Sequence, residues 1–427
     1  MENFVYQSEK LGVSNQVFCL DWCENPKKGL GVLPGLTQGA FWHARELLDI
    51  AISECDCLII HYWNHPLLSV FLSDFDSPKW KLLIWCHNSG IAEPNIVPKY
   101  LMEISEKLVF TSKASFHAKN FEVLSHQHRV LPSVVPTVRD LRNFFIIGAN
   151  RVKKRKHQNL LYVGSVVNSK MHPDSALIFS ELSKRGLHIE IVGGPDHKEL
   201  ADQVELMGGR VEVFGHVENV YDFYQRADLF VYPLRAEHYG TGEQVILEAL
   251  ASGLPVVAFR NPAEAAILDQ FSSLKLAEST KNFLDLVSRL VESPQELSQL
   301  SREVHLLTST LYESNHMTTD LLKIIDDVIK SSDKKGDRIR QNEVKDNLLA
   351  IYARASFFDE SVYQSILKHP HHGIELIISA IESVVDDFSK VELWRAKTKS
   401  TPGHYWTYFP DSQQLDQLVK QLNNRLI

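Results

Sequence analysis

From Asn159 to about Asp269, short apolar runs alternate with amphipathic stretches, the pattern of repeated βαβ units on a parallel sheet. Leu160 to Val163 reads as a strand, and Pro173 to Arg185 as a helix stopped by Gly186. The next strand is Ile189 to Val192, followed by a helix from His197 to Met207. Val211 to Phe214, Leu229 to Tyr232 and Pro255 to Phe259 supply three more strands, separated by helices at Val220 to Arg226 and Glu243 to Ala251. This segment is a doubly wound α/β domain.

The first 140 residues carry a fainter version of the same rhythm. Strands are expected at Gln16 to Asp21, Cys57 to Tyr62, Lys81 to Cys86 and Lys107 to Thr111, ahead of which the chain opens on a polar segment. A second α/β domain follows, either abbreviated at its start or entered after its usual first strand. Ser331 to Asp346 is charged and poor in apolar residues, and reads as a linker or an exposed helix end. From Leu348 onward the periodicity is helical, with Ile374, Leu376, Ile377, Ala380, Ile381 and Val384 on one stripe. An aromatic run, Tyr405, Trp406, Tyr408 and Phe409, precedes a last amphipathic helix. It reads more readily as a tail docked on a domain face than as an acceptor-binding lip. The expected domains are therefore 1–150, 151–330 and a helical extension over 331–427.

A length of 427 residues exceeds what one core usually supports, and 44% apolar with 23% charged residues is ordinary for a folded soluble chain. The formal net charge of -8 excludes nucleic acid as the main partner, because the one basic cluster, Arg151 to Lys156, is too short to reverse it and reads as a solvated linker. No apolar run approaches the ~20 residues that cross a bilayer, so a cytoplasmic protein, at most peripheral to a membrane, is expected. Five cysteines, Cys19, Cys23, Cys55, Cys57 and Cys86, sit in the first fifth of the chain. Their odd number argues against a closed disulfide set, and buried structural thiols are expected rather than a metal site.

The densest chemical signal runs from Pro233 to Ala258: a strand end, a glycine loop, a helix, a turn and the next strand. A helix that starts at a glycine loop offers free N–H groups and a positive dipole end, which together favour an anion. Gly240 and Gly242 let backbone approach a phosphate, although a glycine serving only the turn explains the pair equally well. Glu248 lies on that helix among Leu247, Ala249 and Leu250, so its carboxylate is expected to be buried and to need partners. Ribose hydroxyls would suit it, as would a salt bridge to a nearby Lys or Arg.

The stretch from Leu229 to Glu264, centred on Leu-Glu-Ala-Leu-Ala-Ser-Gly-Leu-Pro-Val-Val-Ala, resembles the donor-site signature of retaining GT-B glycosyltransferases that use nucleotide sugars, the group 1 type. Tyr162-Val-Gly-Ser-Val-Val-Asn-Ser-Lys170 is similar to the segment that opens the family's second domain, and Ile191 to Pro195 and Val213 to Val217 match its next strand ends. The resemblance covers the second domain well and reaches the first only through His61 and His87-Asn-Ser-Gly. It implies two facing Rossmann-like domains and sugar transfer to an acceptor hydroxyl with retention. The acceptor is a glycan, a lipid-linked molecule or a protein, and the nucleotide sugar is a co-substrate whose base the residues do not name. No cofactor is implied, and the lack of an Asp-x-Asp pair in a suitable loop agrees with a metal-independent reaction.

By the same resemblance Lys170 contacts the donor diphosphate, Glu248 the ribose, and backbone near His216 and Val217 the base. His87 touches the transferred sugar or the acceptor, although a satisfied loop histidine is nearly as good a reading. Gly164, Ser165, Gly193 and the loop residues Tyr239, Gly240, Thr241 and Gly242 complete the donor site. Two positions depart from the family. Ser165 stands where an arginine is usual, and Arg235 is the expected replacement cation. The glutamate usually eight positions before Glu248 is here Gly240, and Glu237 is preferred over Glu243 as its substitute, because a helix-start Glu243 already has a structural reason to exist. These departures motivate a competing reading, a catalytically silent homologue that binds a nucleotide, a glycan or a partner; a third is an epimerase acting on the sugar nucleotide.

Overall fold

The computed structural model describes residues 2–22, 36–73, 81–119, 121, 133–151, 159–312, 314–331, 347–385, 388–397 and 399–425. Cys23, the basic residues 152–156 and nearly all of the 331–346 linker lie outside the described residues. The chain divides into two units, one of residues 1–111, 115–136 and 318–427, the other of 112–114 and 137–317. These bounds differ from those read in the sequence. Helix Arg142–Ala149 packs on the helices of the second unit, and the C-terminal helices belong with the first.

In the second unit five parallel strands, β7 (Asn159–Val163), β8 (His188–Val192), β9 (Glu212–Gly215), β10 (Leu229–Tyr232) and β11 (Val256–Ala258), lie in the order β11-β10-β7-β8-β9. Each matches its expected position to within two residues. All four residues of β10 are fully buried, as a central strand covered on both faces requires. The order reverses between β7 and β10, and the region beyond the carboxyl ends of strands at such a reversal is where open α/β sheets bind ligands.

In the first unit β3 (Leu58–Tyr62), β4 (Leu82–Cys86), β5 (Lys107–Phe110) and β6 (Ser133–Val134) form a parallel sheet in sequential order. Two short strands, β1 (Val17–Phe18) and β2 (Leu36–Thr37), pair in parallel as a separate ribbon. The periodicity missed β2 and β6, because two-residue strands show no alternation. The polar opening segment is a helix, Glu2–Lys10, whose Phe4 and Val5 are buried. Six α-helices between Leu348 and Arg425 build a core of their own around Tyr352, Ile377, Trp394 and Tyr405, and helix Leu348–Ser356 packs on helix Pro66–Ser73.

The aromatic run lies on the short helix Pro402–Tyr408, started by Thr401, whose hydroxyl accepts from His404 N, and by Pro402 at its first turn. The thiols correct the expectation of uniform burial. Cys86 is fully buried, Cys19 and Cys57 are half-buried, and Cys55 is exposed where helix Arg45–Glu54 ends; these four form no disulfide among the described residues.

Candidate donor site of the second unit

Two glycines pack the turns after β7 and β8 against each other. Gly164 N donates to Val192 O, and Gly193 N donates to Gly215 O at 2.6 Å. Gly193 has φ +131°, and a Cβ there would stand 1.8 Å from Gly164 O, so no other residue fits. The loop after β7 then meets the loop after β10. Tyr162 Oη donates to Ser165 O at 2.8 Å, and Arg235 N, on the loop after β10, donates to Lys170 O at 3.0 Å.

Lys170 and Glu243 meet at this point, one from the loop after β7 and the other from the loop after β10. Lys170 Nζ is 3.1 Å from Glu243 Oε2, and the two side chains are 9% and 6% exposed. Tyr232 Oη donates to the same carboxylate oxygen, and the ammonium lies 5.5 Å and 5.9 Å from the ring centres of Tyr232 and Tyr239. Burial pulls the Glu243 carboxyl upward, but the charge of Lys170, with His238 and the Tyr232 hydroxyl, outweighs it and holds Glu243 below the ordinary carboxylate range. Lys170 is correspondingly held above its ordinary value, since the attraction of Glu243 exceeds the cost of burying an ammonium. The result is a charged lysine kept out of water at the head of helix Gln244–Ala251, for which Glu243 is the N-cap residue.

Behind this pair His238 Nδ1 accepts from Gly240 N at 3.0 Å, and its Nε2 lies 2.9 Å from Glu264 Oε1. The first bond makes Nδ1 an acceptor, so Nε2 carries the proton and donates to Glu264. The glycine loop is thus tied to the helix after β11. Glu264 Oε2 is buried with no partner among the described residues.

Glu248 is also satisfied within the unit. Arg139 Nη1 donates to Oε1 at 2.6 Å and Tyr224 Oη to Oε2 at 2.8 Å. Burial still raises the Glu248 carboxyl above its ordinary value despite both partners. Of the alternatives weighed for Glu248, the arginine salt bridge is present in this structure. Arg139 is itself held by Gln244, whose Oε1 accepts from Arg139 N at 3.1 Å.

The remaining expected residues divide clearly. Gly164, Ser165, Gly193, Tyr239, Gly240, Thr241 and Gly242 gather on the loops around Lys170 at the carboxyl edge of the sheet. His216 is exposed and Val217 half-buried just past β9. Arg235 Nη1 donates to Asn168 O at 3.1 Å, which places this cation on the same loop pair. Glu237 is exposed, whereas Glu243 is the carboxylate that meets Lys170.

Sequence reasoning passed over Tyr232, His238 and Glu264, although each lies in the stretch that carries the resemblance. Arg139 and Tyr224 gave no signal, since both reach Glu248 from elements distant in sequence. Among the described residues one group of ligand-type side chains, His188, Glu190 and Glu212, has atoms within 4.8 Å of one another. It lies on β8 and β9, and Arg226 already holds both oxygens of Glu190.

In the first unit His87 follows β4 and is buried, with its Nε2 2.8 Å from His61 Nδ1 and its ring stacked on Trp63 at 5.5 Å. Burial lowers His87 to about 3 and pushes His61 well below its ordinary value. Both rings are neutral near pH 7 and share a single proton between the facing nitrogens. A histidine whose pKa falls on folding resists protonation in the folded state, so its contribution is present above pH 6.5 and lost as pH drops from there toward about 3. Thermal unfolding of the wild type should therefore show a midpoint that falls below pH 6.5, and His87→Gln should flatten that limb. A limb of unchanged slope would place the acid sensitivity elsewhere.

Three solved structures share this fold. TarM aligns with 14% identity and a TM-score of 0.52 over 67% of this chain, which spans only 57% of TarM. A glycosyltransferase from Rickettsia africae aligns with 13% identity and a TM-score of 0.55, covering 77% of this chain and 94% of that one. HepE from Anabaena, solved with UDP and glucose, aligns with 15% identity and a TM-score of 0.52, covering 66% and 80%. No curated protein matches the chain in sequence. The chain has the α/β architecture of Rossmann-like domains found in the GT-B glycosyltransferases, and within it residues 157–293 match the family of glycosyl transferases group 1.

Proposed function

We propose that this protein moves a sugar from a nucleotide diphosphate donor to an acceptor hydroxyl, with the donor beyond the carboxyl ends of β7 and β10. The observation that carries this reading is the buried, charged Lys170 at the reversal of strand order, beside the first turn of helix Gln244–Ala251. Breaking the bond from the anomeric carbon to the phosphate oxygen leaves charge on the diphosphate, while the acceptor oxygen bonds to that carbon and gives up its proton to the departing phosphate oxygen. A fixed ammonium and free helix N–H groups stabilise such charge without reorganising at the moment of transfer. These groups supply the cation needed, and the reaction we propose uses neither metal nor cofactor.

Retention of configuration rests on the resemblance, as do the roles of Glu248 toward ribose and of His87 toward the sugar. For Glu248 to serve a ribose, Arg139 would swing aside or share the carboxylate. Glu243 is our candidate for the missing first glutamate. We place the protein in the cytoplasm, with a glycan, a lipid-linked molecule or a protein as acceptor; no described helix is long and apolar enough to cross a membrane. The silent-homologue reading is favoured by one observation, that Glu243 and Glu248 both already have protein partners.

A thermal-shift panel of UDP, GDP, ADP and their sugar conjugates separates the two readings, since a ligand present at 100 times its Kd adds about 2.7 kcal/mol of stability. A shift confined to one base, followed by donor turnover with mixed acceptors, is expected. A shift without donor turnover, or no shift with any nucleotide, would overturn the proposal in favour of the silent homologue.

A further inference from the structure

Three of the chain's seven tryptophans, Trp22, Trp42 and Trp63, are 62%, 55% and 41% exposed. Indoles are large apolar groups, and leaving three in water costs burial energy that the fold does not recover. Each lies within five residues of the carboxyl end of a parallel strand of the first unit: Trp22 after β1, Trp42 after β2 and Trp63 after β3. That edge is where loops of α/β units present ligand-binding groups.

The C-terminal helices join these residues into one strip. Phe409 meets Trp42 edge-on with ring centres 6.1 Å apart. Tyr408 packs edge-on against His65 at 4.7 Å, and its hydroxyl donates to Asp21 Oδ2 at 2.6 Å, beside Trp22. Trp22 rests over Gly39, where an added Cβ would stand 3.2 Å from its ring. The tryptophans are therefore set in place rather than loosely splayed. The same helix Pro402–Tyr408 is anchored beneath them by Tyr405, whose hydroxyl donates to Ser69 Oγ at 2.8 Å.

We propose that this strip is a binding track for a glycan of several sugars, the acceptor chain in the transferase reading on which this inference rests. Exposed rings interleaved with a carboxylate, a phenol and an imidazole match the two kinds of surface a sugar offers, apolar C–H faces and hydroxyl edges. An anionic bilayer would call instead for a basic margin. The strip sets Asp21 against Lys399, whose ammonium lies 4.9 Å from the Trp63 ring centre, and so has no net basic margin, while the chain as a whole carries a net charge of -8.

The full-length protein and the variants Trp22→Ala, Trp42→Ala and Trp63→Ala, with Leu206→Ala as a control on the 88% exposed Leu206 of the second unit, are applied to a glycan array of one to six sugars in α and β linkage. Binding of a glycan of three or more sugars, weakened about tenfold or more by each tryptophan change and unaltered by Leu206→Ala, is expected. Unchanged thermal unfolding shows that the variants fold. No bound glycan, or a bound glycan indifferent to the three tryptophans, overturns the track. Tryptophan-dependent binding to phosphatidylglycerol vesicles, or tryptophan-dependent dimerisation in sedimentation, without glycan binding overturns it as well. Nucleotide binding is measured in parallel. Its loss alone sinks the transferase reading and leaves the track, whereas its presence without glycan binding does the reverse.

Discussion

Lys170→Ala is expected to abolish nucleotide-diphosphate binding and to lower stability by about 3–5 kcal/mol, because it strands the Glu243 carboxylate in a buried site without its cation. The double variant Lys170→Ala/Glu243→Gln separates the two effects. Removing both charges should restore most of the stability, since a neutral amide at 243 still accepts from Tyr232, while nucleotide binding stays lost. Calorimetry and a nucleotide titration on the three proteins decide the matter. If the double variant bound nucleotide as well as the wild type, Lys170 would be a structural residue only.

The pH profile offers a second readout on the same pair. Glu243 has a folded pKa below its unfolded value, so its share of stability is present above about pH 4.5 and lost as pH falls through the lowered value. Lys170 has a raised folded pKa, so its share is full below 10.5 and lost as pH rises through the raised value. The double variant should lack both limbs.

Gly193→Ala is the second large effect. The new Cβ would meet the backbone oxygen of Gly164 at 1.8 Å, in a conformation that L residues rarely adopt. Neither problem can be relieved by rotating a side chain. Overpacking and the left-handed backbone together should cost roughly 3 kcal/mol or more. The turns after β7 and β8 would part, and because the first of them carries Lys170, nucleotide affinity should fall with stability. Thermal unfolding and titration at a temperature where the variant remains folded test this. A variant with wild-type stability would show that the two turns do not need their close approach.

Much of the second unit was legible beforehand because its strands are three to five residues long and separated by helices, a pattern that local periodicity records. Lys170 and the glycine loop each stand inside a contiguous motif, which gave their positions, while their roles rest on the resemblance. The choice between Glu237 and Glu243 was not legible. It depends on which carboxylate meets Lys170, and both lie in one short polar loop. The partner of Glu248 was half legible: burial on an apolar helix demanded a counter-group, and nothing in the sequence named Arg139, 109 positions away.

The extension shows the limit most plainly. Helical spacing after Leu348 was visible in sequence, yet the docking of those helices on the first unit, and hence the strip that joins Tyr408 to Asp21 across 387 positions, was not. Local periodicity by itself determined which segments of the second unit are strands and which are helices. Only the tertiary structure decided which charges pair, which tryptophans stay in water and which unit the C-terminal helices join. The physical reason is range: hydrophobic period and backbone propensity act over a few residues, whereas ion pairs and ring contacts depend on where chain topology brings distant loops together.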